Sequence, residues 1–119
     1  MGETHVVVTV RNPIDRQRCL EGRFLVDTGA GDSLVPRRWL EEIGIEPRGR
    51  RTYRLADGNE VEFEIAFAEL EFMEDAAPAR VIVGDDDDEP LLGVFALEQA
   101  GVVVDPEGEK LRRREFFRL

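Results

Sequence analysis

The sequence predicts an all-β domain with little helix. Apolar and polar side chains alternate with a period of two along most of the chain, which is the pattern of half-buried strands. Turn dipeptides such as Asn12-Pro13 and Asp57-Gly58 separate these runs at short intervals. The 119 residues are 42% hydrophobic and contain no repeat or linker, so we expect one domain over residues 1–119 with its own core.

Two strands and a short helix are predicted in the first part of the chain. A β-branched run at His5–Val10 ends at Asn12-Pro13, and a second strand is predicted over Arg16–Val26. Pro36–Ile43 has the pattern of a short helix, because proline is favoured in a first helical turn and Gly44 is a typical stop.

The longest predicted hairpin joins Arg50–Ala56 to Asn59–Phe72 through Asp57-Gly58. Its second arm changes the parity of its apolar positions, from Val61, Phe63, Ile65 and Phe67 to Leu70 and Phe72. Because side chains alternate strictly along a strand, this change requires a bulge, a bend or a move to a second sheet near Phe67–Glu69. We therefore expect one free arm and one anchored arm.

The last part of the chain contains short elements around an acidic run. The run at Asp85–Glu89 suggests calcium, but it lacks the ligand spacing of an EF-hand, so a solvated loop is the preferred interpretation. The predicted elements are a strand at Ala79–Val83, a helix at Val94–Ala100 stopped by Gly101, and strands at Val102–Asp105 and Lys110–Leu119.

Charge and composition exclude several classes of function. The formal net charge is -10, and residues 57–98 carry fourteen acidic side chains against one arginine, so a nucleic-acid partner is not expected. No apolar run is long enough for a membrane helix and no export signal is visible, which predicts a cytoplasmic protein without a membrane partner. Cys19 is the only cysteine, which excludes an internal disulfide, and we expect it to be a small buried hydrophobe.

Carboxylate chemistry is the main remaining possibility. His5 is the only histidine, so Ser-His and Cys-His nucleophiles are poorly supported, and the ligands for a zinc site are lacking. Gly29-Ala30-Gly31 is not followed by the lysine of a phosphate-binding loop. Asp27, however, directly follows the apolar strand end Phe24-Leu25-Val26. It is either a turn aspartate that accepts backbone N–H bonds or a functional carboxylate.

Three segments together resemble one family. Phe24–Val35 contains Asp27-Thr28-Gly29-Ala30, a hairpin follows with Ala56-Asp57-Gly58 at its tip, and Leu91-Leu92-Gly93 then precedes a short helix. Their order and spacing are similar to those of the retropepsin-like (clan AA) aspartic proteases, especially the small single-domain prokaryotic type. The resemblance implies a closed barrel with a flap hairpin and one or two short helices.

The resemblance also implies roles for these residues. Asp27 would be catalytic, Thr28 would brace the partner subunit, and Gly29 and Ala30 would complete the active-site loop. Ala56, Asp57 and Gly58 would form the flap tip, and Leu91, Leu92 and Gly93 would pack beside the catalytic loop. The mechanism needs two carboxylates that share a proton, whereas the chain supplies one Asp-Thr-Gly. An obligate homodimer acting on peptide or protein substrates, without a metal or another cofactor, is therefore expected.

A second interpretation keeps the fold but removes the activity. The chain could be a catalytically silent dimeric module for peptide binding or assembly, because a fold does not determine a function. The intact Asp-Thr-Gly argues against this interpretation, and a dyad tuned to acidic pH in a neutral cytoplasm argues for it.

The sequence departs from the viral pattern at two paired positions. Viral members place an aspartate and an arginine, which form an ion pair, where this chain has Gly31 and Val94. Asp32 could contact the substrate backbone or stabilise its own loop, and the structural role is slightly preferred. Subsite candidates, each more simply explained as core, are Leu25, Val35, Leu55, Val83 and Leu92.

Overall fold

The computed structural model describes residues 3–105 and 110–119. Within these ranges it contains strands and two short helices. They are β1 (His5–Arg11), β2 (Cys19–Asp27), β3 (Ser33–Pro36), α1 (Arg37–Glu42), β4 (Gly49–Arg54), β5 (Glu60–Phe72), β6 (Asp75–Gly84), β7 (Leu91–Gly93), α2 (Val94–Gln99), β8 (Val102–Asp105) and β9 (Lys110–Arg113).

Six of the strands form a closed barrel. Their order is β1-β2-β7-β3-β6-β5, and β1 pairs again with β5 through Thr9–Arg11 and Glu69–Glu71. β4 lies outside the barrel and pairs with β5, while β8 and β9 form a separate two-stranded sheet. The all-β class, the closed sheet and the two short helices that the sequence predicts are thus confirmed.

The barrel interior is filled by alternate side chains of its strands. Val8 and Val10 of β1, Phe24 of β2 and Leu70 of β5 are completely buried. Trp39 of α1 packs its ring edge against Phe24, with the ring centroids 6.0 Å apart. The helix therefore closes one side of the core.

Buried Asn12 fixes the turn after β1 to the end of α1. Its side-chain amide donates to the Ile43 carbonyl at 2.9 Å, and its Oδ1 atom accepts the backbone N–H groups of Ile14 at 2.9 Å and Asp15 at 3.0 Å. One polar side chain thus satisfies three backbone groups at a place where no strand partner is present.

The parity change in β5 reflects a change of neighbours. The pairings of β5 with β4 and with β6 skip no residue, so neither contains a bulge. β5 pairs with β4 as far as Ile65, and it pairs with β1 from Glu69 onwards. β5 therefore moves from the β4–β5 hairpin into the barrel, where its buried side chains are Ala66, Ala68, Leu70 and Phe72. The β4 arm pairs on one side only, as expected for the free arm.

Several boundaries differ from the sequence predictions. β2 starts at Cys19 and not at Arg16, because the chain before it forms a turn in which the Arg18 N–H donates to the Asp15 carbonyl. β9 ends at Arg113 because its partner β8 has only four residues. Cys19 is exposed, so its predicted burial is wrong.

Two very short strands, β3 and β7, are absent from the sequence predictions. The acidic run at Asp85–Glu89 lies in a loop, as expected, and its carboxylates contact both the loop itself and distant segments. Asp86 Oδ1 accepts the Arg38 N–H of α1 at 3.0 Å, and Asp88 Oδ2 accepts the Asp85 N–H at 2.8 Å. No helix among the described residues has both the length and the apolar character required to cross a membrane.

Replacement of Asn12 tests its role in the turn. Asn12→Ala leaves three backbone groups without their partner and should lower the free energy of unfolding by about 1–3 kcal/mol. Urea unfolding at a fixed protein concentration measures this loss. The control is Asn59→Ala, which removes an exposed asparagine and should cost less than about 0.5 kcal/mol. Equal effects of the two substitutions would contradict the anchoring role of Asn12.

Candidate active site

Asp27 lies at the carboxyl end of β2, between two neighbouring strands. β2 pairs antiparallel with β1 and parallel with β7, and this second pairing places Asp27 opposite Gly93. The Leu25 N–H donates to the Pro90 carbonyl at 3.0 Å, and the Val26 N–H donates to the Thr4 carbonyl at 2.8 Å. The strand end that carries Asp27 is therefore held on both sides.

The turn after β2 is organised by the Asp27 carboxylate. Its Oδ1 atom accepts the Gly29 N–H at 3.0 Å, and the Ala30 N–H donates to the Asp27 carbonyl at 3.2 Å. A Cβ atom on Gly29 would lie 3.3 Å from Oδ1, so glycine suits this close approach. Asp27 is half-buried, whereas Thr28 and Gly29 are exposed. One oxygen of the carboxylate thus serves the turn.

The segment around Gly93 supports this turn from below. The Gly93 N–H donates to the buried Ser33 hydroxyl at 2.9 Å, and the Val94 N–H donates to the Ala30 carbonyl at 2.8 Å. A Cβ atom on Gly93 would collide with the Gly31 carbonyl and lie 2.8 Å from the Asp32 carbonyl oxygen. Only glycine permits this packing. The structure therefore brings Leu91, Leu92 and Gly93 beside the Asp27 loop, Leu91 and Leu92 through their pairing with Leu25 and Val26.

The hairpin lies over the Asp27 turn and encloses a cleft of about 600 Å³. Asp27, Gly29 and Ala30 line one side of this cleft, and Ala56 lines the other. The remaining predicted site residues, Thr28, Asp57 and Gly58, do not line it. At the tip, the Leu55 N–H donates to the Asn59 carbonyl at 2.7 Å and Asp57 Oδ1 accepts the Asn59 N–H at 2.9 Å, so the turn has a defined shape.

The apolar part of the cleft wall differs from the subsite candidates. Leu55 is the only one of the five candidates that lines the cleft, and Val35 and Leu92 are completely buried in the core. The apolar lining consists of Leu34, Leu55, Phe63, Ile82 and Phe95, together with alanines. Leu34 pairs with Ile82, and Val35 pairs with Val83. Because side chains alternate along a strand, the first pair faces the cleft and the second pair faces the core.

The buried carboxylate of Asp32 links the floor of the cleft to the hairpin. Its Oδ2 atom accepts the Tyr53 hydroxyl at 2.6 Å and the Arg80 Nε–H at 3.3 Å, and an Arg51 guanidinium nitrogen lies 3.8 Å away. Burial and the hydrogen bond to Asp32 raise the pKa of Tyr53 to about 12. These contacts support the structural role of Asp32.

Sequence reasoning did not identify Arg51, Tyr53 or Arg80 as site residues. The available signal was the alternation along β4, which places Arg51, Tyr53 and Leu55 on one face of the strand. Arg80 is 48 residues away from Asp32 in the chain, so no local pattern connects the two.

One of the two positions that depart from the viral pattern, Gly31, is explained by packing. The Phe95 ring lies over Gly31, where an added Cβ atom would be 2.8 Å from the ring. An aspartate at position 31 would therefore displace this aromatic side chain. Phe95 is 58% exposed and lines the cleft, so an apolar surface takes the place of an ion pair.

One group of described residues has the spacing of metal ligands. Ligand atoms of Glu3, His5 and Glu89 all lie within 4.8 Å of one another, and His5 Nε2 is 3.1 Å from Glu89 Oε1. Glu89 is 84 residues away from His5 in the sequence, which is why ligand spacing did not indicate this group. None of them lines the cleft.

Comparisons with known proteins agree with this architecture. The profile of a family described as gag-polyprotein putative aspartyl protease matches residues 18–99, which is more than half of the chain. Among solved structures, 175 chains match. One is the solution structure of the simian foamy virus (mac) protease, with 16% sequence identity and a TM-score of 0.57; the match covers 80% of this chain and 92% of the viral one. No curated protein sequence matches the chain.

A titration of the only tyrosine tests the contact between Tyr53 and Asp32. In the native protein, ultraviolet absorbance should show ionisation at a pKa of about 12, above the ordinary value of 10.0. Because the folded pKa is raised, the stabilising contribution is complete below pH 10 and is lost as the pH rises towards 12.

Asp32→Asn provides the matched variant. It should lower the pKa of Tyr53 and still leave it above the ordinary value, because burial is the larger cause of the shift. A native pKa near 10 in the unmodified protein would show that this contact does not form in solution.

Proposed function

Since the chain belongs to the family of gag-polyprotein putative aspartyl proteases, we propose that it is an aspartic endopeptidase in which Asp27 activates the attacking water. The observation that carries the proposal is the position of Asp27 in a glycine-containing turn, on the floor of a cleft that the hairpin covers. A retropepsin-like fold supports the same assignment.

The reaction requires two carboxylates that share one proton, and one copy of the chain offers only one suitable group. Among the described residues that line the cleft, Asp32 is the other carboxylate. It is buried and already accepts hydrogen bonds from Tyr53 and Arg80, so it is not available to share a proton with Asp27. We therefore propose that a second copy supplies the second Asp27 across a twofold axis.

Surface exposure supports this homodimer. Thr28 and Gly29 stand exposed at the turn, and Phe95 beside them exposes 58% of its surface. Phe116 and Phe117, near the end of the described chain, are 78% and 60% exposed. A second copy would cover such apolar surface, and the Thr28 hydroxyl would brace the turn of the partner.

In the proposed mechanism, one Asp27 carboxylate takes a proton from water while the protonated Asp27 of the other copy donates to the substrate carbonyl. The water oxygen bonds to the carbonyl carbon and forms a tetrahedral intermediate. The C–N bond then breaks as the Asp27 that took the proton from water donates it to the leaving amine, and the other Asp27 recovers a proton from a hydroxyl of the intermediate as the new C=O bond forms. The reaction needs one ionised and one protonated Asp27, so activity should be lost at a pH that leaves neither protonated.

The cleft wall also supports a substrate preference. Leu34, Phe63 and Ile82 present apolar side chains to the space beneath the hairpin, which suits hydrophobic residues beside the cleaved bond. The hairpin would act as a flap that binds an extended peptide through main-chain hydrogen bonds.

Replacement of the proposed catalytic residue is the central test. Asp27→Asn preserves the shape of the turn and should keep the fold and the oligomeric state while cleavage falls by at least about a thousandfold. The assay is digestion of a diverse peptide library between pH 4 and pH 8, with sedimentation velocity on the same samples.

The outcomes separate the two functional interpretations. Cuts made only by the unmodified dimer support the protease and define its subsites. Turnover that survives in Asp27→Asn contradicts the assigned mechanism. A well-folded unmodified dimer that cuts nothing at any pH favours the silent peptide-binding or assembly module instead.

The role of Thr28 in the dimer is tested separately. Thr28→Ala removes one hydroxyl from each subunit, so the symmetric dimer loses two hydrogen bonds and its dissociation constant should rise by about tenfold to a hundredfold. Thr9→Ala, on β1 outside the cleft, serves as the control and should leave the constant unchanged. An unchanged constant in Thr28→Ala would refute the bracing role.

A further inference from the structure

β4 has few contacts that could hold it over the cleft. It pairs only with β5 among the described strands, and Tyr53 is its one residue that is not exposed. The hairpin tip at Ala56–Asn59 is exposed throughout. The position of the hairpin relative to Asp27 must therefore be fixed by a small number of side chains, and Tyr53 is the most buried of them.

Tyr53 reaches a closely packed part of the cleft floor. Its hydroxyl donates to Asp32 Oδ2 at 2.6 Å, and the Asp32 side chain is only 6% exposed. The backbone of Asp32 packs directly on Gly93, too closely for a Cβ atom, and β3 begins at the next residue. Asp32 is thus a rigid anchor five residues after Asp27.

The contact is also built to break without leaving a buried charge unpaired. Asp32 Oδ2 lies 3.3 Å from Arg80 Nε on β6, so the carboxylate keeps a cationic partner when Tyr53 departs. The hydroxyl itself can bind water once the hairpin lifts. Opening therefore loses the hydrogen bond from Tyr53 to a charged acceptor, together with the longer contact of 3.8 Å between Arg51 of the same strand and Asp32.

We propose that Tyr53 is a positioning residue that sets the height of the hairpin over Asp27 by donating a hydrogen bond to the Asp32 carboxylate. The bond holds the hairpin closed in the free chain, breaks to admit a peptide, and re-forms to give one defined closed geometry for the reaction. The catalytic consequence rests on the proposed protease function, whereas the effect on hairpin motion does not.

Tyr53→Phe is the sharpest variant because it removes only the hydroxyl. The ring packs edge-on against Phe63, with centroids 5.9 Å apart, and phenylalanine retains that contact. The matched control is Arg54→Gln on the same strand, which removes the exposed contact between Arg54 and Glu60 and does not involve Asp32. Asp32→Asn is the reciprocal variant, since it removes the charge of the acceptor.

The first measurement is ¹⁵N relaxation dispersion of the Ala56–Gly58 amides in the full chain. Tyr53→Phe should raise the population of the open hairpin about tenfold, as expected for loss of one hydrogen bond, and Asp32→Asn should shift it in the same direction. Arg54→Gln should match the unmodified protein. Unchanged dispersion in both Tyr53→Phe and Asp32→Asn would overturn the proposal.

The second measurement uses a peptide that the unmodified protein cleaves. Tyr53→Phe should lower kcat about tenfold while KM changes less than about threefold, because the bond acts on the closed geometry in which the reaction occurs. Equal kcat values would overturn the catalytic part of the proposal and leave the assignment of Asp27 intact. If the unmodified protein cleaves no peptide, the proposed protease function fails, and the amide measurement alone decides the role of Tyr53.

Discussion

The close packing of Gly93 beneath the Asp27 loop is the constraint on which the rest of the structure depends. β7 has three residues, yet it joins β2 on one side and β3 on the other, so the barrel would be open without it. The same residues fix the height of the loop, because Gly93 lies against the backbone of Gly31 and Asp32 at a distance that excludes any side chain. Closure of the barrel and placement of the carboxylate therefore both depend on the close packing that Gly93 permits.

The uneven distribution of charge along the chain becomes pairing of opposite charges between distant segments of the fold. The glutamates of β5 lie in the most acidic part of the sequence, and they contact arginines from the first half of the chain. The pairs are Arg11–Glu71, Arg16–Glu69, Arg37–Glu64, Arg50–Glu62 and Arg54–Glu60. These pairs are exposed or only partly buried, and exposed pairs contribute at most about 1 kcal/mol each, so their main effect is on the choice of register and neighbour. The acidic region between residues 57 and 98 is therefore partly neutralised by the same chain, and Arg51 and Arg80 add positive charge beside Asp32.

Much of the fold was predictable because its signals are local. The Asp57-Gly58 turn, the Gly44 and Gly101 helix stops and the Asp27-Thr28-Gly29 turn each depend on a few adjacent residues. β3 and β7 were missed because three or four residues give no measurable period, and both are defined by partners distant in the sequence. The prediction of the cleft lining was wrong by one residue on two strands. It named Val35 and Val83, whereas Leu34 and Ile82 face the cleft. A uniformly apolar run does not reveal which side chains point to the core. The contacts of Tyr53 and Arg80 with Asp32 had no local signal at all.

The proposed dimer and the proposed role of Tyr53 constrain each other. If two copies of Asp27 meet on a twofold axis, the two hairpins cover one shared cleft, and each is held by its own Tyr53 and Asp32. A peptide that enters from the side must displace both hairpins, and this displacement breaks the Tyr53–Asp32 hydrogen bond in each subunit. A peptide that threads along the cleft needs only transient loosening of each hairpin. Both bonds re-form over the same reacting centre, so each subunit positions the substrate for the carboxylate of the other as well as for its own. In such a dimer, one open hairpin would expose both carboxylates of the pair to water.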